Sequence, residues 1–218
     1  KDNDISSIIM EVERDQKPKI NYLNSIRKIC NKKNICLIFD ECTTGFRETY
    51  GGLHLKYKIY PDIAMFGKAI GNGYALTAVI GKKKIMEKSK KTFISSTFWS
   101  ERIGYVAALA TLKEMKRIKS WEKIKVKGQY IKKSISRIAE KYKLSIKFSG
   151  LDALIKFQIL GLGEFDYNKF IIEQMLKENF LATQNIYVSV AHTKKKIDTY
   201  LFSIDKVFEK ISKKIKYK

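Results

Sequence analysis

Two short β-branched runs, Ile5-Ser6-Ser7-Ile8-Ile9-Met10-Glu11 and Ile35-Cys36-Leu37-Ile38-Phe39, flank a stretch of helical period, and this pattern restricts the fold more than any other feature. Between the runs, Pro18 suits a first helical turn, Ile20, Leu23, Ile26 and Ile29 or Cys30 recur at helical spacing, and Asn34 supplies a stop. A strand that returns through a helix to a second strand must run parallel to the first, so the pattern is a βαβ unit of an α/β sheet. The first strand begins almost at residue 1, as though the chain opens inside its own sheet.

The strands that follow deliver chemistry. The apolar run Ile35 to Phe39 ends on Asp40, and the next, Asp62-Ile63-Ala64-Met65-Phe66, leads into Gly67-Lys68-Ala69-Ile70-Gly71-Asn72-Gly73. Carboxyl ends of parallel strands are where open α/β sheets bind ligands. An acid and a lysine delivered there suit pyridoxal phosphate. The amine condenses with the cofactor aldehyde as a Schiff base, and the carboxylate keeps the pyridine nitrogen protonated. On spacing alone, two solvated surface groups are the ordinary alternative. The glycine cluster is not a phosphate-binding P-loop, because Asp62 and Ala69 stand where that motif needs glycine and a hydroxyl. Nor does it fit a dinucleotide fingerprint.

Downstream, Leu76 to Gly81 reads as another strand, Lys83 to Lys91 as an exposed helix, and Phe93 to Ser100 as a hydroxyl-rich strand or loop. Ser100 is placed to cap a helix from Glu101 to about Met115, with Ile103, Val106, Ala107 and Ala110 facing inward. A hydroxyl-rich loop before a helix can hold phosphate or merely cap the helix. From Trp121 a long amphipathic helix carries Ile124, Tyr130 or Ile131, Ile135, Ile138 and Tyr142. Strands over Leu144 to Phe148 and Leu154 to Leu160, a helix to Phe180, a strand Ile186 to Val190 and a basic closing helix from Ile197 to Ile215 complete an α+β second half. The expected domains are therefore 1–115 and 116–218.

The chain carries 44 basic against 22 acidic residues in 218, a formal net charge of +22. Such an excess raises the question of nucleic acid, whose phosphates release counterions to clustered cations. Here the lysines are spread along the chain, with short runs such as Lys82-Lys83-Lys84 and Lys194-Lys195-Lys196 but no basic stripe interleaved with aromatics. Joint enrichment in lysine, isoleucine and asparagine points to an A/T-rich genome, and no nucleic-acid partner is expected. No apolar run approaches the roughly 20 residues that span a bilayer, so no membrane partner is expected and a cytoplasmic location is the default. Cys30, Cys36 and Cys42 lack metal-ligand spacing, which predicts reduced thiols and no metal site.

Taken in order, Phe39-Asp40-Glu41-Cys42-Thr43-Thr44-Gly45-Phe46-Arg47, Tyr60-Pro61-Asp62, Gly67 to Gly73 and Ser95-Ser96-Thr97-Phe98 resemble the class III aminotransferases of fold type I, above all glutamate-1-semialdehyde aminomutase and its aminotransferase relatives. Ser189-Val190-Ala191-His192-Thr193 with Ile197-Asp198 is similar to the family's closing segment. The resemblance implies a partial large domain with a mainly parallel sheet, then a small α+β C-terminal domain. It implies pyridoxal 5'-phosphate as cofactor, with Asp40 on the pyridinium nitrogen, Lys68 as Schiff-base lysine and proton shuttle, and Cys42 against a ring face. Thr97, with Ser96 beside it, would hold the phosphate, in the family typically that of the neighbouring subunit, so a homodimer is implied. His192 is assigned a structural role and His54 that of an ordinary loop or surface residue.

The implied activity is transfer of an amino group between a donor and an aldehyde or ketone, by an aminotransferase or an aminomutase. Two departures stand out: Val12 follows Glu11 where the family has proline, and the bulky Trp99 follows Phe98 where relatives are small. The resemblance covers only the family's C-terminal half. The N-terminal half normally supplies the phosphate cup and the stacking aromatic, so this is the C-terminal half of such an enzyme polypeptide or is completed by a separate partner chain; the alternative is a truncated, non-catalytic fragment.

Overall fold

The computed structural model describes residues 5–95, 97 and 100–216. The chain divides into two compact units, Lys1–Trp121 and Glu122–Lys218. In the first, β1 (Ser7–Glu11), α1 (Ile20–Lys33), β2 (Cys36–Asp40), the short α2 (His54–Tyr57), β3 (Ile63–Phe66), β4 (Ala78–Gly81), α3 (Lys83–Ser89) and α4 (Arg102–Ile118) follow in order. The strands form one sheet in the order β1-β2-β3-β4. β1 pairs parallel to β2 with Glu11 opposite Asp40, β2 pairs parallel to β3 with Asp40 opposite Met65, and β4 closes antiparallel. The βαβ expectation and the largely parallel sheet are thus borne out. Only the direction of β4 was not legible, since an apolar run of four residues has no polarity of its own.

Alternation in β2 buries Leu37 and Phe39, at 0% and 1% exposure, while Asp40 ends half-buried. Each such burial contributes roughly 1.5–3 kcal/mol. α1 sets Leu23 and Cys30 into the core and ends at Asn34 in the left-handed conformation, the stop expected from the sequence.

The start of the sheet is pinned by Asp62. Its buried Oδ2 accepts from the Leu37 amide at 2.8 Å and from Arg27 Nη1 at 2.8 Å, and its Oδ1 meets Lys82 Nζ at 2.6 Å. Burial pushes this carboxyl up, but the hydrogen bonds from Lys82, Leu37 and Arg27, with the Arg27 charge, bring it below its ordinary value. A depressed carboxylate contributes stability that is present above the unfolded pKa and lost as pH falls through the folded one. Asp62→Asn is therefore expected to cost about 2 kcal/mol at pH 7. The gap to the parent should close below about pH 4. Urea unfolding at several pH values reads this directly, and a gap independent of pH would refute the assignment.

α4 differs from expectation. Its N-cap is Glu101 without a side-chain bond, so Ser100 does not cap it. Gly104 and Ala108 face inward, whereas Ile103 and Val106 are exposed at 55% and 64%. The helix is turned because Gly104 lets the backbone close on its neighbour: a Cβ there would stand 2.8 Å from the Ala75 carbonyl oxygen.

The second unit comprises α5 (Ser120–Lys141) from Glu122 onward, β5 (Ser145–Ser149), β6 (Leu154–Leu160), α6 (Tyr167–Lys177), β7 (Asn185–Tyr187) and α7 (Lys194–Lys216). Its three strands form an antiparallel sheet in the order β5-β6-β7. Ile131 and Ile135 of α5, Ile155 and Phe157 of β6, Met175 of α6 and Ile204 and Phe208 of α7 meet in one core. Tyr130, one of two alternatives for the α5 seam, is partly exposed and Ile131 takes the inner place. No helix among the described residues is long and apolar enough to cross a membrane.

Candidate active site

Asp40 and Lys68 arise from neighbouring parallel strands at the same end of the sheet. β2 stops at Asp40 and β3 at Phe66, because the chain then enters turns: Glu41 still donates its amide to the Met65 carbonyl at 2.8 Å, and Lys68–Ile70 winds into a short 3-10 turn. The Asp40 carboxylate folds onto its own loop, with Oδ1 accepting the Cys42 amide at 2.9 Å. Such a turn fixes the carboxylate's direction without consuming its second oxygen.

Lys68 sits at φ 46°, a left-handed conformation unusual for a residue with a Cβ. Backbone of this kind costs on the order of 1–3 kcal/mol and persists where its surroundings hold it. Here the Asn72 amide donates to the Lys68 carbonyl at 3.0 Å, and Gly71 tightens the turn. A Cβ on Gly71 would lie 2.4 Å from the Tyr74 carbonyl oxygen. The exposed side chain reaches back across the strand ends, and its Nζ donates to Thr43 Oγ1 at 2.6 Å.

Cys42 lies among these groups. A Cβ on Gly67, the residue before the lysine, would meet Cys42 Sγ at 3.4 Å. Burial pushes the thiol above its ordinary value, the hydrogen bond and charge of Asp40 push the same way, and the Lys68 ammonium pulls against them. The thiol is thereby kept protonated, a neutral and polarizable surface beside an acid and an amine. All three cysteines are free.

Of the other residues singled out from the sequence, Thr97 is exposed in an irregular segment, and Ser96 lies outside the described residues, as do Phe98 and Trp99. His192 belongs to the second unit, where its Nδ1 accepts the Ser189 amide at 3.3 Å. Burial, then the charges of Lys127 and Lys196, lower its pKa. Among the described residues no group of three or more histidines, cysteines and acids is arranged to hold a metal ion.

The largest correction concerns His54. It is not an ordinary loop residue but 8% exposed, with Nδ1 at 2.9 Å from Oε1 of the wholly buried Glu41. Sequence reasoning also passed over Thr43. Its neighbours Thr44 and Gly45 hinted at a compact turn, but nothing in the spacing revealed that its hydroxyl meets the lysine.

Residues 1–183 match the family model described as aminotransferase class-III. The chain belongs to the class III aminotransferases. Within the family it is 30% identical over 216 residues to the glutamate-1-semialdehyde 2,1-aminomutase of Wigglesworthia glossinidia brevipalpis, covering 91% of this chain and 50% of that protein. It is 35% identical over 136 residues to the 3-aminobutyryl-CoA aminotransferase of Cloacimonas acidaminovorans (strain Evry), covering 62% of this chain and 33% of that one. Its fold superposes on the PLP internal aldimine form of the Sphingopyxis sp. MTA144 FumI protein with a TM-score of 0.91 at 20% identity, over 96% of this chain and 52% of the other. The partial fold type I architecture is thereby shown. The chain spans about half the length of the curated relatives it matches over most of its own length.

Proposed function

We propose that this class III chain carries the lysine and aspartate half of a pyridoxal phosphate site and serves the transfer of an amino group. The observation that carries the reading is the delivery of a carboxylate and a primary amine by adjacent parallel strand ends, close enough that both charges act on Cys42. The donor set fits the group: an acid for a ring nitrogen, an amine for an aldehyde, and a neutral thiol within reach of both charges.

When bound, pyridoxal phosphate supplies an aldehyde for the amine and a ring that draws electrons from a reacting carbon. The chain's own residues do the rest. Asp40, its direction fixed by the Cys42 amide, holds a proton at the ring nitrogen. Lys68 provides the attachment point and afterwards carries a proton to and from the substrate carbon, a general-base task for an amine held in place by Thr43. Cys42, its thiol kept neutral, would lie against the ring, with Gly67 adding no side chain beside it. Thr97, with Ser96, is assigned to the phosphate of a neighbouring subunit in a homodimer, and the substrates are an amino donor and an aldehyde or ketone acceptor. In this reading residues 1–115 are the C-terminal part of the cofactor-binding domain and 116–218 the small domain.

A second reading has specific support in the half-length coverage: a fragment of such an enzyme that binds and reacts only with an N-terminal half supplied separately. One experiment separates them. The purified chain is mixed with pyridoxal phosphate, its visible spectrum recorded before and after borohydride, and the adduct located by mass spectrometry. A reducible band with Lys68 labelled well above the exposed lysines supports a competent half-site. Lys68 labelling no heavier than theirs favours the dependent fragment. In a competent assembly, Asp40→Ala is expected to keep the Lys68 adduct while lowering turnover on the order of a hundredfold or more.

A further inference from the structure

The buried pair Glu41–His54 has no part in the chemistry above, yet it sits between Asp40 and Thr43, the two residues through which this loop reaches the site. Glu41 is 0% exposed. Its Oε2 accepts from Thr44 Oγ1 at 2.6 Å, and its Oε1 from the His54 amide at 2.9 Å and faces His54 Nδ1 at 2.9 Å. Its main chain is tied as well, the amide to Met65 and the carbonyl to the Gly45 amide at 2.8 Å. The His54 ring is held between Phe39 and Tyr60, with centroids 6.1 and 6.4 Å away. Gly52 leaves no slack, since a Cβ there would stand 2.3 Å from His54 Nδ1 and 2.8 Å from Glu41 Oε1.

Removing a carboxylate from water costs several kcal/mol unless its oxygens are matched by donors. Backbone turns of this length form without such an expense, so the buried acid has to be accounted for by the geometry it imposes. What it imposes is the position of residues 42–44: pinned at Glu41, Thr44 and Gly45, the chain presents Thr43 Oγ1 to Lys68 Nζ. We infer that Glu41 and His54 form a positioning pair that sets Thr43, and through it the reactive amine of Lys68. Calling that amine reactive rests on the pyridoxal phosphate reading, but the positioning itself does not.

The test therefore uses no cofactor. Trace acetylation of the folded chain with acetic anhydride, followed by mass spectrometry, gives the reactivity of Lys68 relative to the exposed Lys84. Thr43→Val, which removes the acceptor outright, is expected to raise the Lys68 ratio about fivefold, the scale of losing one hydrogen bond. His54→Ala should move it most of the way to that value. His54→Asn, whose amide nitrogen can take the place of Nδ1, should return it to the parent's. Lys68 labelling in His54→Ala equal to the parent's would overturn the proposal, as would no response to Thr43→Val. If His54→Ala does not fold, Thr44→Val replaces it and should raise the ratio about twofold by removing one of the donors to Glu41; no rise overturns the proposal. Should the ratios respond as expected while pyridoxal phosphate gives no specific Lys68 adduct, the reading of the chain as a competent half-site falls and the positioning pair stands.

Discussion

Lys68→Ala is expected to remove every trace of a borohydride-reducible pyridoxal phosphate adduct from the peptide containing residue 68, while leaving the thermal unfolding midpoint of the chain nearly unchanged. The two halves of this outcome have separate causes. Chemically, condensation needs a primary amine, and among the described residues no other lysine is held by a strand-end hydroxyl beside a carboxylate. Structurally, the side chain is exposed, and the left-handed backbone at φ 46° is tolerated no worse by alanine than by lysine, since the clash belongs to the Cβ that both possess. With 38 lysines in the chain, background condensation at solvated amines is expected in parent and variant alike, so the site of the adduct decides and not the total colour. A band of undiminished intensity that maps to another lysine in both proteins would sink the assignment of Lys68.

The fold was legible in the sequence wherever burial is one-sided and periodic. β2 and α5 show this best, because Leu37 and Phe39 alternate in one and Ile124, Ile131 and Ile135 repeat in the other, and each pattern permits a single inward face. α4 shows where such reasoning fails. Ile103 and Val106 are apolar and spaced for a core, yet the inward face is Gly104 and Ala108, since close backbone approach to Ala75 selects small residues and period alone cannot distinguish packing by size from packing by hydrophobicity.

The site divides the same way. Asp40 and Lys68 were singled out because strand ends concentrate ligand chemistry, and Cys42 only through the family resemblance. Glu41 and Thr43 were given no role and His54 the wrong one because their partners lie 13 to 25 residues away across a stretch of no regular period. A glutamate next to an aspartate looks like a second solvated acid, and only the three-dimensional path of residues 41–54 turns it inward.

The largest effect on stability is expected at Phe157, in the middle of β6. This ring is 0% exposed, faces Phe148 across the strand pair and Phe208 of α7, with centroids 6.5 and 6.2 Å away, and its amide donates to the Gln184 carbonyl at 3.0 Å. It joins β6 to its hairpin partner β5 and to the distant α7, so no neighbour on its own strand can fill the space it would leave. Phe157→Ala removes the transfer energy of a large side chain and opens a cavity that a packed interior closes only in part, together about 3–5 kcal/mol. Domains of this size are stable by only about 5–15 kcal/mol, so the loss is a large share of the whole. With a urea dependence of roughly 2 kcal/mol per molar, the unfolding midpoint followed by far-UV circular dichroism should fall by about 2 M, whereas Phe157→Leu, which keeps most of the volume, should lower it by well under 1 M. Equal shifts in the two variants would mean that the ring contacts, and not the volume, hold this core. No shift in either would mean that β6 does not occupy the centre of the second unit.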